Sequence, residues 1–544
     1  MEKIDTKSSA AAPRDRVGMA SPIWKDRRIG IALTVGIAAL AGIIVALTLP
    51  RGPTTQTQGL LVLAGGLIVG LIAGYAMRSG LALLLAPLVH IIALEIVRPQ
   101  LLGPTVGALR LNEFYGVLAF ILGRGLYGLV AIIPMMLGAY LGTVIANEMT
   151  GGSSVRSGSM PWIRLQLPKT LRGARGSTAF SGWMRWIPPM LAFVSVLALA
   201  VQIALPASTP PILEANGQVV PGSIAELTTV RLGGLEQHVM IRGYSADKPV
   251  LLYLNGGPGQ SGLPFTRVIL GDLSKDFVIV DWDQRGTGKS YAALEPTSTL
   301  TLERAITDTV ELAQYLRQRF DERKIYVIGE SWGSILGVLA VQRRPDLFHA
   351  FIGSGQMVSP KETDGRIYKD VLSLAARNGD AALASKMRGY GQPPYADLPY
   401  AYTFAMGQYD ALYKPYTPSN AYRDLGNASG IGPYGVLASE YNLIERFNVL
   451  RGLMDTFTVM YPQLQQIDFR RDVQRLEVPV YILDGTAELA ARRDLMLEWI
   501  GMLNAPKKQV FTVENAAHSV AFEQFEAFGK IMLETILPET YLSR

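Results

Sequence analysis

Five long apolar stretches occupy the first 205 residues, and no other feature of the chain restricts its fold as strongly. A helix needs about 20 consecutive apolar residues to cross the hydrocarbon core of a bilayer. A signal peptide has a single short stretch of this kind, so five of them predict a multi-span membrane domain. The predicted spans are Ile29–Leu49, Gly59–Met77, Leu81–Val97, Gly125–Ala146 and Ile187–Leu205.

The fourth span is cut from a longer apolar stretch that contains Arg124. Because a charged residue is costly inside a membrane, we expect Phe114–Gly123 to form a separate lead-in helix or a partial insertion and the crossing to begin at Gly125. These limits predict an N-terminal tail over residues 1–28 and a helical membrane domain over residues 29–205.

Lys and Arg residues are unevenly distributed between the loops. Residues 1–28 contain seven and residues 147–186 contain six, whereas each of the other loops contains one or two. Basic residues are retained on the cytoplasmic side of a membrane. The pattern predicts an integral protein of the cell membrane, with its N-terminus in the cytoplasm and everything after residue 205 outside it.

The distribution of charge and the content of cysteine and histidine limit the partners and cofactors that the chain is expected to use. The net charge is +6, but residues 1–186 carry 18 Lys and Arg against 7 Asp and Glu, and the rest of the chain carries 33 against 38. The basic charge therefore follows the apolar half, which indicates membrane topology and argues against a nucleic-acid partner. With no cysteine and four histidines, the chain is predicted to use no metal and no cofactor.

The second half of the chain has a different sequence pattern. Residues 206–222 are rich in proline and small polar residues and are predicted to form a linker. Beyond them, short apolar runs such as Val250–Leu254 alternate with amphipathic patterns such as Leu302–Phe320. This alternation predicts an α/β domain, with a mostly parallel sheet covered by helices on both faces.

A segment without strands interrupts this α/β pattern. Residues 358–472 contain 12 of the 23 tyrosines and no comparable apolar run of the strand type. We interpret this segment as a helical cap inserted between two parts of the α/β domain, residues 223–357 and residues 473–544.

The sharpest motif is the pentapeptide Gly329-Glu330-Ser331-Trp332-Gly333, which follows a strand and precedes a helix. A Gly-x-Ser-x-Gly turn in that context projects the serine hydroxyl from the edge of a sheet. We predict that Ser331 is a nucleophile.

A serine nucleophile needs a general base and a carboxylate that orients it. His518 follows the last predicted strand, which is the place for the base in this chain order. Two carboxylates, Asp484 and Glu488, follow the strand before it. We favour Glu488, because it lies past the turn at Gly485 and its side chain can reach across to His518.

The loop Asn255-Gly256-Gly257-Pro258-Gly259 follows the strand VLLYL. Its backbone N–H groups can point at a developing oxyanion, together with the N–H of Trp332. Gly257 is the predicted loop donor and Gly256 is the neighbouring alternative. The loop lacks the Lys-Ser/Thr that phosphate binding would need.

Five motifs together resemble the proline iminopeptidase-like branch of the α/β-hydrolases: YLNGGPGQSG, DWDQRGTGKS, GESWGS, LDGTAE and NAAHSVAFEQFEAF. The resemblance covers residues 223–544. It implies an enzyme that removes N-terminal residues from peptides without a metal. It also implies that acidic cap residues bind the substrate's α-amino group, with Glu440 or Glu445 in that role here. We favour the alternative, in which both glutamates lie on an exposed helix face.

The pair Asn255 and Glu330 also resembles the serine carboxypeptidases, in which an Asn and a Glu bind the substrate's C-terminal carboxylate. The leading hypothesis is a membrane-anchored serine hydrolase acting on a peptide or another small acyl substrate. The alternatives are a membrane esterase or lipase, a carboxypeptidase-like hydrolase, and a receptor or transport component with a degenerate hydrolase domain.

Overall fold

The computed structural model describes residues 27–149, 187–426 and 432–541. The greater part of the predicted tail and the basic loop over residues 150–186 lie outside these residues. The chain divides into two compact units, each made of three segments. Of the described residues, the first unit contains those within 1–48, 64–98 and 131–194, and the second contains those within 49–63, 99–130 and 195–544.

The apolar stretches form helices. Their bounds are α1 (Arg27–Thr48), α2 (Gln56–Met77), α3 (Ala82–Val97), α4 (Phe114–Met149) and α5 (Ile187–Ala204). Among the described residues, α1, α2, α4 and α5 are long and apolar enough to cross a membrane. Helix α3 is apolar but has 16 residues, fewer than the about 20 of a typical span.

The prediction of a separate helix before Arg124 is wrong, because α4 is one helix of 36 residues. The point at which the crossing begins stays a prediction. A charged side chain does not interrupt backbone hydrogen bonding, and the chain passes Arg124 in a π-helical turn, Ile121–Gly125. A second such turn follows at Gly128–Ile132. Wider turns of this kind keep a helix continuous while shifting its register.

Glycines allow α2 and α4 to pack closely within the first unit. A Cβ atom on Gly70 or Gly74 would overlap the carbonyl groups of Met135 and Ala139, and the glycines of α4 face α2 in the same way. Small residues at four-residue spacing permit this backbone approach.

The second unit contains an eight-stranded sheet of order β1-β2-β4-β3-β5-β6-β7-β8. Strand β2 is antiparallel to both of its neighbours, and all other pairs are parallel. The predicted α/β class is therefore confirmed. The strands are β1 (Ile224–Leu232), β2 (Leu235–Gly243), β3 (Val250–Leu254), β4 (Val278–Asp283), β5 (Ile325–Glu330), β6 (Phe348–Ser354), β7 (Val480–Gly485) and β8 (Lys508–Val513).

Both faces of the sheet are buried. In β3, Leu252 and Leu254 join one hydrophobic core, whereas Leu251 and Tyr253 join the other. Side chains that alternate between two cores explain why the central strands read as continuous apolar runs. The helices along this part of the chain are α6 (Leu263–Ile269), α7 (Leu302–Phe320) and α8 (Trp332–Arg343).

The described chain between β6 and β7 is helical, as the cap prediction requires. Its helices are α9 (Pro360–Asn378), α10 (Ala381–Tyr390), α11 (Leu398–Met406), α12 (Tyr409–Leu412), α13 (Asn420–Gly426), α14 (Leu443–Met460) and α15 (Phe469–Asp472). The last helices of the chain are α16 (Ala490–Met502), α17 (Val520–Glu523), α18 (Phe525–Ile531) and α19 (Leu537–Thr540).

Helix α14 also contacts the loop segments that belong to this second unit. The buried carboxylate of Asp455 lies 3.3 Å from Arg51 Nη1 and accepts a hydrogen bond of 2.5 Å from Thr105 Oγ1. One turn away, Arg451 Nη1 donates to the carbonyl oxygen of Pro53 at 3.0 Å. The segments that follow α1 and α3 are thereby joined to the cap.

Candidate active site

The turn at Ser331 connects β5 to α8 in a strained conformation. Ser331 has φ 52° and ψ −116°, which few residues other than glycine adopt. Cβ atoms on Gly329 and Gly333 would overlap the carbonyl groups of Gly333 and Leu254, so both positions require glycine. Such strain costs about 1–3 kcal/mol and persists where the surrounding structure enforces it. Here it leaves the Ser331 hydroxyl at the N-terminus of α8.

His518 and Glu488 are brought together by the loops after β8 and β7. The distance from His518 Nδ1 to Glu488 Oε2 is 2.5 Å. Gly355 lies against the imidazole, since a Cβ at that position would be 2.8 Å from His518 Cε1. The preceding residue, Ser354, accepts a hydrogen bond from the backbone N–H of Ser331 at 3.0 Å. The imidazole and the strained serine therefore flank the same end of β6.

Glu488 is held as a charged carboxylate. Its Oε1 atom accepts hydrogen bonds from the backbone N–H of Leu489 at 2.6 Å and from Arg492 Nε at 3.0 Å. Burial by itself raises the pKa of Glu488, but Arg492 and His518 hold that pKa well below its ordinary value. A permanent negative charge can orient the imidazole and stabilise its protonated form.

The competing carboxylate, Asp484, has a different partner. Asp484 Oδ2 accepts a hydrogen bond of 2.8 Å from Arg493 Nε. Burial raises the pKa of Asp484 above its ordinary value, with Arg493 opposing the effect. The two candidate carboxylates therefore differ in their partners. Of the two, only Glu488 contacts His518.

The glycine loop after β3 lies beside the serine. A Cβ on Gly256 would be 3.3 Å from Ser331 Cβ, whereas one on Gly257 would meet the backbone N atoms of Gly259 and Gln260. The alternative donor, Gly256, is therefore nearer to Ser331 than the predicted Gly257. Trp332 helps to position this loop, because its indole bonds to Gln284, which in turn donates to the Asn255 carbonyl.

The two acidic cap residues are neither exposed nor free. Glu440 is fully buried and accepts a hydrogen bond of 2.6 Å from Arg267 Nε. Glu445 caps the N-terminus of α14 and lies 2.7 Å from Lys289 Nζ. The prediction of an exposed helix face is wrong for both residues. Glu440 pairs with Arg267 and Glu445 pairs with Lys289, and both cations lie in the sheet domain.

Asn255 and Glu330 are placed differently from each other. The Asn255 side chain is fully buried and its Nδ2 donates to Asp281 Oδ1 at 2.5 Å. Glu330 accepts hydrogen bonds from the Tyr253 hydroxyl at 2.7 Å and from Ser519 Oγ. Only Glu330 of this pair lines a cavity.

That cavity has a volume of about 360 Å³ and lies in the second unit, beside the candidate catalytic residues. Its walls are contributed by residues 260–262, which follow the glycine loop, and by α6, α13, α14, α17 and the 432–441 loop. Glu330 and Ser519, the chain neighbours of Ser331 and His518, also line it. Arg492 and the cavity residue Tyr441 were missed by sequence reasoning. The four-residue spacing between Glu488, just before α16, and Arg492, in its first turn, was the available signal for the arginine.

The described residues contain no group of three or more His, Asp or Glu side chains placed to hold a metal ion.

Comparison with known proteins gives matches to the second half of the chain. A family model described as "alpha/beta hydrolase fold" matches residues 249–525, just over half of the 544 residues. "Probable aminopeptidase YbaC" of Bacillus subtilis is 28% identical over 312 residues, which cover 57% of this chain and 96% of that protein. "Proline iminopeptidase" of Lactobacillus acidophilus is 32% identical over 108 residues, 20% of this chain and 35% of that protein.

Among solved structures, a proline iminopeptidase-related protein from Thermus thermophilus matches with a TM-score of 0.41 and 19% identity. The match covers 58% of this chain and 98% of that one.

Proposed function

The chain belongs to the α/β-hydrolase family, and from this premise we propose that it is a membrane-anchored serine hydrolase that removes N-terminal residues from peptides. The observation that carries the proposal is the 2.5 Å contact between His518 Nδ1 and Glu488 Oε2, beside the strained turn at Ser331. These are the three groups that nucleophilic acyl transfer requires, in the chain order of this fold.

In the proposed mechanism, Ser331 Oγ attacks the carbonyl carbon of the scissile bond while His518 takes its proton. His518 then donates that proton to the leaving amine, and a water molecule hydrolyses the acyl-enzyme by the same steps in reverse order. Glu488 orients His518 and stabilises the imidazolium. The backbone N–H groups of Trp332 and Gly256 stabilise the tetrahedral oxyanion.

Cleavage at the N-terminus is supported by the relatives. The Bacillus subtilis protein, which the chain matches over nearly that protein's whole length, carries an aminopeptidase name. Other matches carry the name proline iminopeptidase. The helical cap would restrict entry to the active site, so that only the end of a peptide chain could reach Ser331.

Anchoring by five crossings is supported by contacts inside the second unit. The segments after α1 and α3 both contact α14, as Arg51, Pro53 and Thr105 do. These segments therefore share a side of the membrane with the hydrolase domain that follows α5. Because α2 is long and apolar enough to cross, α3 must then cross as well for the chain to return to that side, although α3 is short.

The activity is tested with detergent-purified protein, Ser331→Ala and the control Ser373→Ala, an exposed serine of α9. The substrates are Pro- and Ala-aminomethylcoumarin, their N-acetylated forms, an N-blocked dipeptide with a free C-terminus, and p-nitrophenyl esters. We expect Ser331-dependent cleavage of free-amine substrates and fluorophosphonate labelling in wild type and the control only. Undiminished cleavage by Ser331→Ala would overturn the mechanism, and cleavage of esters alone would favour an esterase.

The topology is tested with single cysteines, since the native chain has none. We expect a membrane-impermeant maleimide to label Leu109→Cys and Asn216→Cys on intact cells and to leave Gly80→Cys unlabelled until the cells are lysed. All three side chains would be exposed. Equal labelling of Gly80→Cys and Leu109→Cys would contradict a crossing by α3.

A further inference from the structure

The cavity beside Ser331 contains one charged group. Of the described residues that line it, Glu330 alone has an acidic or basic side chain, and most of the others are aromatic or aliphatic. The remaining walls include Phe265, Tyr434, Val449 and Leu453. A ligand that fills this space therefore meets apolar surface and a single carboxylate.

Within the described residues, Glu330 has neutral partners. Its carboxylate is 5% exposed and accepts hydrogen bonds from two hydroxyl groups, those of Tyr253 and Ser519. A buried carboxylate without a counter-charge is unfavourable, so a cationic ligand group would gain a strong interaction there.

The cations around the site are already bound to other carboxylates. Arg267 pairs with Glu440, Lys289 with Glu445, and Arg492 with Glu488. The two cap glutamates are thereby neutralised, which leaves Glu330 as the carboxylate available to a substrate in the cavity.

The place of Glu330 beside the proposed nucleophile indicates which group of a substrate can reach its carboxylate. Glu330 directly precedes the proposed nucleophile Ser331, and its carboxylate accepts a hydrogen bond from Ser519, the residue after His518. A group bound to that carboxylate would therefore lie close to the carbonyl under attack. In a peptide, the α-amino group of the first residue is separated from its own carbonyl carbon by one atom. The cavity, at the lower end of the about 300–1,000 Å³ of ligand pockets, has room for that residue's side chain.

We propose that Glu330 binds the protonated α-amino group of the substrate and that the cavity accepts an apolar N-terminal side chain. This inference rests on the proposed function. It differs from carboxylate recognition, because the Asn255 amide that would assist such binding is buried against Asp281 and does not line the cavity.

The test compares Glu330→Gln, Glu330→Asp and wild type on Leu-aminomethylcoumarin and p-nitrophenyl acetate. We expect Glu330→Gln to lower kcat/KM for the free amine by about 10- to 100-fold, mainly through KM, as for loss of a charge-assisted hydrogen bond. Ester hydrolysis and the rate of fluorophosphonate labelling should stay within about twofold, and Glu330→Asp should recover part of the loss. A parallel fall of both activities would indicate a structural role and overturn the proposal.

Glu523→Gln is the matched control. Glu523 is buried near His518 and Glu330 but does not line the cavity. We expect it to leave the ratio of amine to ester activity unchanged. If Glu523→Gln lowered that ratio as much as Glu330→Gln does, direct binding by Glu330 would be overturned. The effect would then come from the total negative charge near the site.

A measurement on wild type needs no variant. L-leucinamide should inhibit ester hydrolysis at least about tenfold more strongly than N-acetyl-L-leucinamide, and equal inhibition would overturn the proposal. Absence of any Ser331-dependent hydrolysis would instead overturn the proposed function itself. The two failures are therefore distinguishable.

Discussion

Two carboxylates beside the strand β7 have different partners, and the difference assigns different roles to them. Glu488 contacts His518 and buried Arg492, whereas Asp484 contacts Arg493, whose side chain is 28% exposed. Both acids lie within five residues of each other, so their sequence context is nearly the same.

The roles of these acids can be separated by amide substitution. Glu488→Gln should lower kcat by about 10³- to 10⁴-fold, because an uncharged partner no longer stabilises the imidazolium. Asp484→Asn should change kcat by less than about threefold, since its loss affects a partly exposed ion pair. Steady-state kinetics on Ala-aminomethylcoumarin measures both, and the reverse order of effects would make Asp484 the triad acid.

Asp283 should make stability depend on pH. Burial raises the pKa of Asp283 to about 7, although Ser261 and the backbone of Lys289 donate hydrogen bonds to it. The ordinary pKa of Asp is about 3.9, so the folded state binds this proton more tightly than the unfolded state. The stability from this group is therefore present at low pH and is lost as pH rises from about 4 to about 7.

Asp283→Asn cannot titrate and removes this dependence. We expect its Tm, relative to wild type in the same detergent, to be higher at pH 8 than at pH 5. The exposed Asp424 on α13 provides a control, Asp424→Asn, whose Tm difference should be the same at both values. A pH-independent difference for Asp283→Asn would show that the group does not titrate in this range.

At the scale of elements, α14 joins three parts of the second unit. Its residues Asn448 and Arg451 bond to the loop after α1, while Val449 and Leu453 line the cavity. Between these faces, Gly452 packs on the turn after β4, with a Cβ at that position lying 2.8 Å from the Gly286 carbonyl oxygen.

Gly452→Ala should therefore displace α14 from that turn. We expect it to lower stability by about 1–3 kcal/mol, as overpacking does, and to raise KM because the cavity wall moves. Gly365→Ala in α9 is the matched control, since a Cβ there meets nothing within 4 Å. That substitution should raise stability by about 0.5–1 kcal/mol through helix propensity. Equal effects of the two on Tm would show that the contact at Gly452 is loose.

At the scale of the molecule, the second unit includes segments that lie between the apolar helices. Arg51 is buried against Asp455 and Glu295, and it also donates to the Leu102 carbonyl at 2.7 Å. Asp455 is in addition bonded to Thr105 and Tyr291. The hydrolase domain therefore depends on residues outside the region of family resemblance.

Arg51→Ala should leave Asp455 as a buried charge without its guanidinium. We expect a loss of stability of about 3–5 kcal/mol, as when one partner of a buried ion pair is removed. The control is Arg110→Ala, because the Arg110–Asp397 pair is more than a third exposed and should contribute at most about 1 kcal/mol. Chemical denaturation in detergent measures both, and similar losses would contradict the importance of the buried pair.

The sequence by itself determined the features that repeat at short range. Apolar stretches indicated the helices of the first half, and alternation of strands and helices predicted the α/β sheet. The Gly-x-Ser-x-Gly turn located Ser331, since the residues that make this turn are adjacent in the chain. Each of these signals lies within about 20 residues, so no knowledge of distant contacts is needed to read it.

Only the tertiary structure decided which distant side chains meet. Sequence reasoning favoured Glu488 as the partner of His518, 30 residues away, but only the structure separated it from Asp484. Arg51 and Asp455, which are 404 residues apart, gave no signal in the sequence. The burial of Glu440 against Arg267 likewise depended on surroundings that local patterns do not contain. An ionisable residue is the same letter in the sequence whether water or a counter-charge surrounds it in the protein. Only folding determines which of these surroundings it has.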